Sequence, residues 1–600
     1  YGIAGTSFGT LTASTVTING SGGIANLTTG TLAVTLDAAS SSSSTGYGLR
    51  LSGVGGMLTI HGTTNITSPT SGGISIDTSG SLTTTLSGLT ITNSSGTGLS
   101  ASTGGTMVLT GSANSIATTT GTALSLTSTT IGASGMTFVS ISSSGAANGI
   151  VLNNTGTGPF TVTGNLTAGS GGTIQNITTN GIKLTSAQHV SLSYMTLTNA
   201  NTVDGGGAGV CDGTTNAGCN ASINLNTVSD LTLDHISISG GAEDGINGIG
   251  VTKLTLSNST IQNVGNAVNE YGIEIYGLFG TQAASTANSI TNTSVTGSYD
   301  SNLFIRNSTA TNSSPSVPDR LAISGSTFSS STANEGLTIS SRSTANFQLD
   351  LQSSTITNNY SIGVHVDAGD TSRNDFSMSS STVSGSTVGV DVSGSGTATS
   401  TFNVSNNTGA GISTTSGSGI VIAANSSSSV DGTVQNNVVK TTLANNPSFG
   451  IDVVVNATGS ATVKVDSNTI TKFMTGIRGG ARNAGTGTAN LTVTNNTIDS
   501  TGNTFPYSGI LLFSGNGSGG ESNAVCVNVS GNHITAINGN FDIELDQYGG
   551  NTFNIQGLTP ATGATELQVE TYVSGQNNSA VVTAAGGLVI DFTAGNCALP

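Results

Sequence analysis

A Gly-apolar-x-apolar signal returns through the first quarter of the chain at an almost fixed interval: Gly48-Leu49-Arg50-Leu51, Gly73-Ile74-Ser75-Ile76, Gly98-Leu99, Ala123-Leu124-Ser125-Leu126 and Gly149-Ile150-Val151-Leu152. The first positions of these units are 25, 25, 25 and 26 residues apart. Such a period marks a repeat architecture, in which one unit cannot bury its apolar face and must stack on its neighbours to do so. Within a unit the alternation is that of a short strand with two side chains pointing in and one out. A strand returning to the same phase every ~25 residues predicts the coil of a parallel β-helix. The signal continues at longer intervals, among others at Gly181-Ile182, Gly272-Ile273, Gly363-Val364, Gly450-Ile451 and Gly509-Ile510. The leading Gly is expected where the chain turns a corner with φ > 0.

A second strand is expected in each coil, with apolar residues five apart across a corner: Leu256 and Ile261, Leu351 and Ile356, Met378 and Val383, Val465 and Ile470, Val493 and Ile498, Val529 and Ile534. Two positions after the first member stand Asn258, Ser353, Ser380, Ser467, Asn495 and Gly531. These residue types tolerate the left-handed conformation, so the strand is predicted to bend there. The full count predicts an all-β fold: a single parallel β-helix of about 19 coils, a rod on the order of 90 Å at ~4.8 Å per coil. Residues 1–540 are assigned to the helix and 541–600 to a C-terminal cap, with a short helix within Pro560–Ser574 and a closing strand within Val581–Phe592. A cap protects the unpaired edge of the last coil. The N-terminal edge shows no equivalent and is expected to continue into further sequence or to pair with another molecule.

Composition separates this reading from disorder. Only 7% of residues are charged, but Thr, Val and Ile recur in register, as ordered β structure requires and disordered chains lack. Twelve Lys and Arg against 29 Asp and Glu give a net charge of -17, which excludes the clustered cations that nucleic acid needs. No apolar run is long enough to span a membrane. Four cysteines are expected to form two disulfides in an oxidising compartment: Cys211 with Cys219 as a loop clip, and Cys526 with Cys597 as a clamp on the C-terminal end. Free buried thiols are the alternative.

Candidate chemistry is sparse. The densest acidic group is Asp230, Asp234, His235, Glu243 and Asp244, with Glu270 and Glu274 one coil on. Glycoside hydrolysis needs two carboxyl groups ~5–10 Å apart, which stacked coils could supply. If the chain is an enzyme, Glu243, Asp244 and Glu274 are the catalytic candidates; against this, Glu243-Asp244 sits at a turn, where acidic residues are common. Arg306, Arg320 and Arg342 stand among carboxylates and could grip an anionic sugar, or form surface ion pairs. The five histidines are scattered, and neither a metal site nor a cofactor is expected. The outward strand positions (Ser75, Ser125, Lys183, Asn224, Asn247, Glu274, Thr338, His365, Asp391, Asp452) are expected to form a polar ladder suited to weak multivalent contact with glycans or another copy.

The run Cys219-Asn220-Ala221-Ser222-Ile223-Asn224-Leu225, continuing through Leu231-Thr232-Leu233 to Gly245-Ile246-Asn247, resembles large bacterial β-strand-repeat surface proteins with right-handed parallel β-helix repeats. Cys526-Val527-Asn528-Val529-Ser530-Gly531-Asn532 and the late Cys597 add to it. The resemblance implies a right-handed coil, secretion and a role at the cell surface, and brings no catalytic residues. The expected function is therefore a non-enzymatic extracellular structural protein, building a filament, stalk or layer or presenting an adhesive face. Its expected partners are its own copies or surface glycans. A polysaccharide-binding or polysaccharide-cleaving β-helix is the alternative, using a groove near Asp230 to Glu274.

Overall fold

The computed structural model describes residues 1–600 except 206–218, 284–285, 311–316, 446, 484, 518, 536–540, 560, 579, 587–591, 596 and 599–600. The chain is an all-β parallel solenoid of about 19 turns with one short helix, as the repeat predicts. It divides into two compact units, Tyr1–Asp300 and Ser301–Pro600.

In the first unit a turn consists of three short strands, for example Asn180–Thr185, Gln188–Ser193 and Met195–Thr198. Each pairs in parallel with its counterpart one turn on. Register stacks the inward residue of the first strand into one column: Leu49, Ile74, Leu99, Leu124, Ile150, Ile182, Ile223, Ile246 and Ile273. In the second unit the same position runs Leu303, Leu337, Val364, Val390, Ile420, Ile451, Ile477, Ile510 and Ile543. Ile74, Ile150, Ile273 and Ile451 are all buried, so each column is a continuous aliphatic core that no single turn could close.

The corner residues behave as their chemistry predicts. Asn258, Ser353, Ser380, Ser467, Asn495 and Gly531 all have φ between 50° and 70°, and the apolar residues flanking these corners point inward. The leading glycines do not. Gly73, Gly98, Gly149, Gly363 and Gly450 lie outside the positive-φ region, which corrects the expectation of a left-handed corner. Their constraint is contact. A Cβ on Gly73 would lie 2.4 Å from the Gly98 carbonyl oxygen and 2.8 Å from Ile91 Cδ1. On Gly363 it would lie 2.3 Å from Val383 Cγ1 and 2.7 Å from the Gly389 carbonyl oxygen. The third strand of the turn and the next turn's backbone close on the same point, and only hydrogen fits.

A polar column runs beside the apolar one in the second unit. Asn407, Asn437, Asn468, Asn496, Asn532 and Asn577 form an unbroken chain of side-chain amide hydrogen bonds, 2.8–3.0 Å long. Each Oδ1 from Asn437 onward also accepts the backbone N–H of the previous rung. Each Nδ2 from Asn437 onward also donates to a carbonyl of the valine on the turn before (Val404, Val434, Val465, Val493, Val529). Asparagine supplies a donor and an acceptor from one planar group, so a buried column of it leaves none of these amides unpaired.

The last rung, Asn577, is the C-cap of helix α1, Glu566–Gln576. The helix starts within the predicted segment because Thr565 and Gln568 form a capping box, and it buries Val569 and Val573. Phe541–Gln547 and Thr552–Gln556 continue the first- and second-strand ladders. The closing strand is two strands, Val582–Gly586 and Phe592–Gly595, each paired in parallel with one of these. Cys526 and Cys597 are bonded, as expected. Cys219 is buried, and the expected partner Cys211 lies outside the described residues.

Candidate functional site

The acidic residues that lie together in sequence separate into two environments in the first unit. Glu243 and Asp244 open a first strand and stand next to Glu270 and Glu274 one turn on; Asp230 and Asp234 bracket the second strand.

The first group is interior. Asp244 is fully buried and Glu274 is 1% exposed. The Asn247 amide bridges them, donating to Asp244 Oδ2 at 2.8 Å and to Glu274 Oε2 at 2.6 Å. The Tyr271 N–H donates to Asp244 Oδ1 at 2.6 Å. Glu243 accepts the Gly205 N–H, and Glu270 accepts those of Asn266 and Ala267. Burial pushes the Glu243 carboxyl up to about 7, the charges of Glu270 and Asp204 add to this, and the Gly205 hydrogen bond opposes it. Burial likewise raises Asp244 well above the usual range, against the pull of the Tyr271 and Asn247 hydrogen bonds, and raises Glu270. One Asn247 amide therefore bridges the two carboxyls. A sugar cannot reach them. They act as buried acids that hold one turn to the next.

This also corrects the expected polar ladder. Asn224, Asn247, Glu274, Thr338 and Asp452 occupy middle positions of first strands but are buried, while Ser75, Ser125, Lys183, His365 and Asp391 are half-buried. For Asn224 and its neighbours Asn247 and Glu274 the described ends of the long connection before Ser222 fold back over the strands: Asn224 donates to the Cys219 carbonyl, Asn220 donates to the Val203 carbonyl, and Asn201 donates to the Asp244 carbonyl. In the second unit Asp452 is gripped by Arg478.

The second group faces outward. His189, Asp230 and Lys253 stand in register one turn apart, immediately before inward residues Val190, Leu231 and Leu254. Lys253 Nζ lies 2.6 Å from Asp230 Oδ1, and His189 Nε2 lies 3.6 Å from Asp230 Oδ2. At the far end of the same strands the Tyr194 and His235 rings stack at 4.5 Å. Asp234 holds His235 Nδ1 at 2.8 Å and accepts from Ser257 and Asn258. Burial pushes the Asp234 carboxyl up, but these three hydrogen bonds outweigh it and leave its pKa below the ordinary value. Beside the ionic rim, Thr157, Pro159, Thr161, Ser191 and Thr232 line an open groove of about 410 Å³. Sequence reading found Asp230, Asp234 and His235 but not His189, Lys253 or Tyr194; the signal was their shared offset from the inward residues.

The three arginines do not converge. Arg320 pairs with Asp350 on the second-strand ladder, and Arg342 pairs with Asp367 at the end of a first strand. Arg306 is exposed on another first strand. Among the described residues no three or more His, Cys, Asp or Glu side chains are grouped to hold a metal ion, and no helix is long and apolar enough to cross a membrane. Comparison with family models, with curated proteins and with solved structures gave no match to the chain.

Proposed function

We propose that this chain is a non-enzymatic structural solenoid of the cell exterior, which builds an assembly or presents an adhesive face. The observation that carries this is the burial of the carboxylates expected to serve hydrolysis: Asp244 and Glu274 are neighbours one turn apart but are buried and hydrogen-bonded within the wall. Burial of this pair favours persistence over turnover. The Cys526–Cys597 disulfide is compatible with an oxidising, extracellular location.

The test is incubation with neutral and acidic polysaccharides, with product length followed by size-exclusion chromatography. No shortening is expected. Shortening that disappears in Asp244→Asn or Glu274→Gln would refute the structural reading. Electron microscopy of the concentrated chain is expected to show ordered assemblies or decoration of a glycan-coated surface.

A second reading, polysaccharide binding without cleavage, is favoured by one observation. The outward second-strand face beside Asp230 combines hydroxyls, a held carboxylate and a stacked aromatic pair. Those are the group types that contact a sugar's hydroxyls and its apolar ring face.

A further inference from the structure

On the outward face of three consecutive first strands in the second unit, register builds a grid. Arg478 pairs with Leu511, which pairs with Glu544; Gly480 pairs with Phe513, which pairs with Asp546. Arg482, Gly515 and Tyr548 follow directly after the last paired residues of their strands and extend the pattern by one position. A cationic row, an apolar row and an acidic row are therefore stacked, with the outer two about 10 Å apart at ~4.8 Å per turn. Arg478, Arg482, Leu511, Phe513, Asp546 and Tyr548 line an open trough of about 180 Å³. That is smaller than a typical drug-sized site, so it would hold a single small unit of a longer ligand rather than enclose a whole molecule.

The two arginines are not equivalent. Arg478 is committed: it grips Asp452 through two bonds of 2.8 and 2.6 Å and lies 3.7 Å over the Phe449 ring. Arg482 donates Nε to Asn456 Oδ1 at 3.1 Å, and among the described residues it has no carboxylate partner. Burial and the adjacent Arg478 charge both lower its pKa, so it is a cation held at a cost. On a chain of net charge -17 with only 12 basic residues, this is a place where a ligand anion gains a guanidinium without displacing a protein partner. Between the rows, Leu511, Phe513 and the Tyr548 ring line the trough with apolar surface. Opposite, Asp546 is an acceptor for a hydroxyl group, while Glu544 beside it is buried and accepts from Tyr507 Oη at 3.1 Å.

We infer that this trough binds a carboxylated hexose unit of an acidic glycan, with the sugar carboxylate on Arg482, the apolar ring face on Leu511 and Tyr548, and a hydroxyl on Asp546. The alternation of charge, apolar surface and acceptor within two turns matches one sugar ring. A bare inorganic anion would use only Arg482 and leave the other two rows without a role.

The test is isothermal titration calorimetry of the full chain with a uronic-acid tetrasaccharide and with its carboxyl-reduced, neutral counterpart. The acidic probe is expected to bind, the neutral one at least tenfold more weakly. Arg482→Gln and Tyr548→Ala are each expected to weaken the acidic probe at least tenfold, Arg482→Lys less than Arg482→Gln, and Lys472→Gln, on an exposed corner of the same unit, not at all. Circular dichroism checks that each variant keeps its β signal. No binding of the acidic probe, equal binding of both probes, or undiminished binding by folded Arg482→Gln would overturn the inference. Inorganic phosphate competing as well as the tetrasaccharide would also overturn it, in favour of a simple anion site. The site stands apart from the scaffold reading: a chain that assembles but ignores uronates loses only the site, and one that cleaves them loses the scaffold reading.

Discussion

Replacing Glu243 with Gln tests whether the interior carboxyls are held as neutral acids. Their raised pKa means that the folded chain binds protons more tightly than the unfolded one. For Glu243 the pKa rises from 4.5 to about 7, chiefly because burial disfavours the charged form. Between those values the native state carries the extra proton, so stability falls as pH rises. The contribution is fully present below pH 4.5 and is lost as pH passes through 7. At 1.36 kcal/mol per unit the loss is on the order of 3 kcal/mol. Gln keeps the Oε1 that accepts from Gly205 but has no charge to bury. It also removes a charge that raises Asp244. The Glu243→Gln chain should match the native one at pH 4 and exceed it by about 3 kcal/mol at pH 8. The assay is urea denaturation followed by far-ultraviolet circular dichroism, with hydrogen exchange at Gly245 and Ile246, whose amides bond the next turn. A solenoid unfolds in segments, so the exchange readout keeps the effect local. Parallel pH–stability curves for the two chains would show that Glu243 is solvated and charged, and the reasoning would fail.

Asn468→Ala should destabilise the second unit by about 3 kcal/mol in urea, because it strands the Asn437 N–H and the Val434 carbonyl inside the wall. Gly363→Ala should cost about 2 kcal/mol or more, from a methyl forced against Val383 and the Gly389 carbonyl, whereas Gly409→Ala, with nothing within 4 Å of the new Cβ, should change the urea midpoint little. Cys526→Ser with Cys597→Ser opens a link spanning 71 residues and should cost about 4 kcal/mol of C-terminal stability, read as faster limited proteolysis after Phe541.

What was legible in the sequence follows from what repeats. Inward positions recur because each must meet its counterpart one turn on, so Ile150 and Ile451 announce their columns. The left-handed corners were legible because only a few residue types tolerate them, and Asn258 and Ser467 are among these. The leading glycines were found but misread: their cause is a contact made with the following turn, which a single strand cannot reveal. The asparagine column was missed because Asn is common and its rungs lie at unequal spacing, as at Asn496, Asn532 and Asn577. The acidic cluster was wrongly read as one group for a related reason. Asp234 and Glu243 are nine residues apart, but the short third strand Ser237–Ser239 separates them, placing one outside the second strand and the other under the first-strand excursion.

Burial decides where charge can act in such a chain. Most residues at outward positions are hydroxyls and amides, which bond along the ladder and are satisfied by their neighbours. A charged group in the same place must find a counter-charge, take up a proton or lie open to water. Asp452 takes the first course through Arg478 and Asp230 through Lys253, and Glu243 and Asp244 take the second. Arg482 follows none of them fully: it is half-buried, permanently protonated and faces an acidic row one apolar turn away rather than in contact. A scaffold alone would be better served by a neutral side chain there. The cation has a use only if an anion arrives from outside, so recognition, where this solenoid performs it, is placed at a half-buried guanidinium that no carboxylate among the described residues compensates.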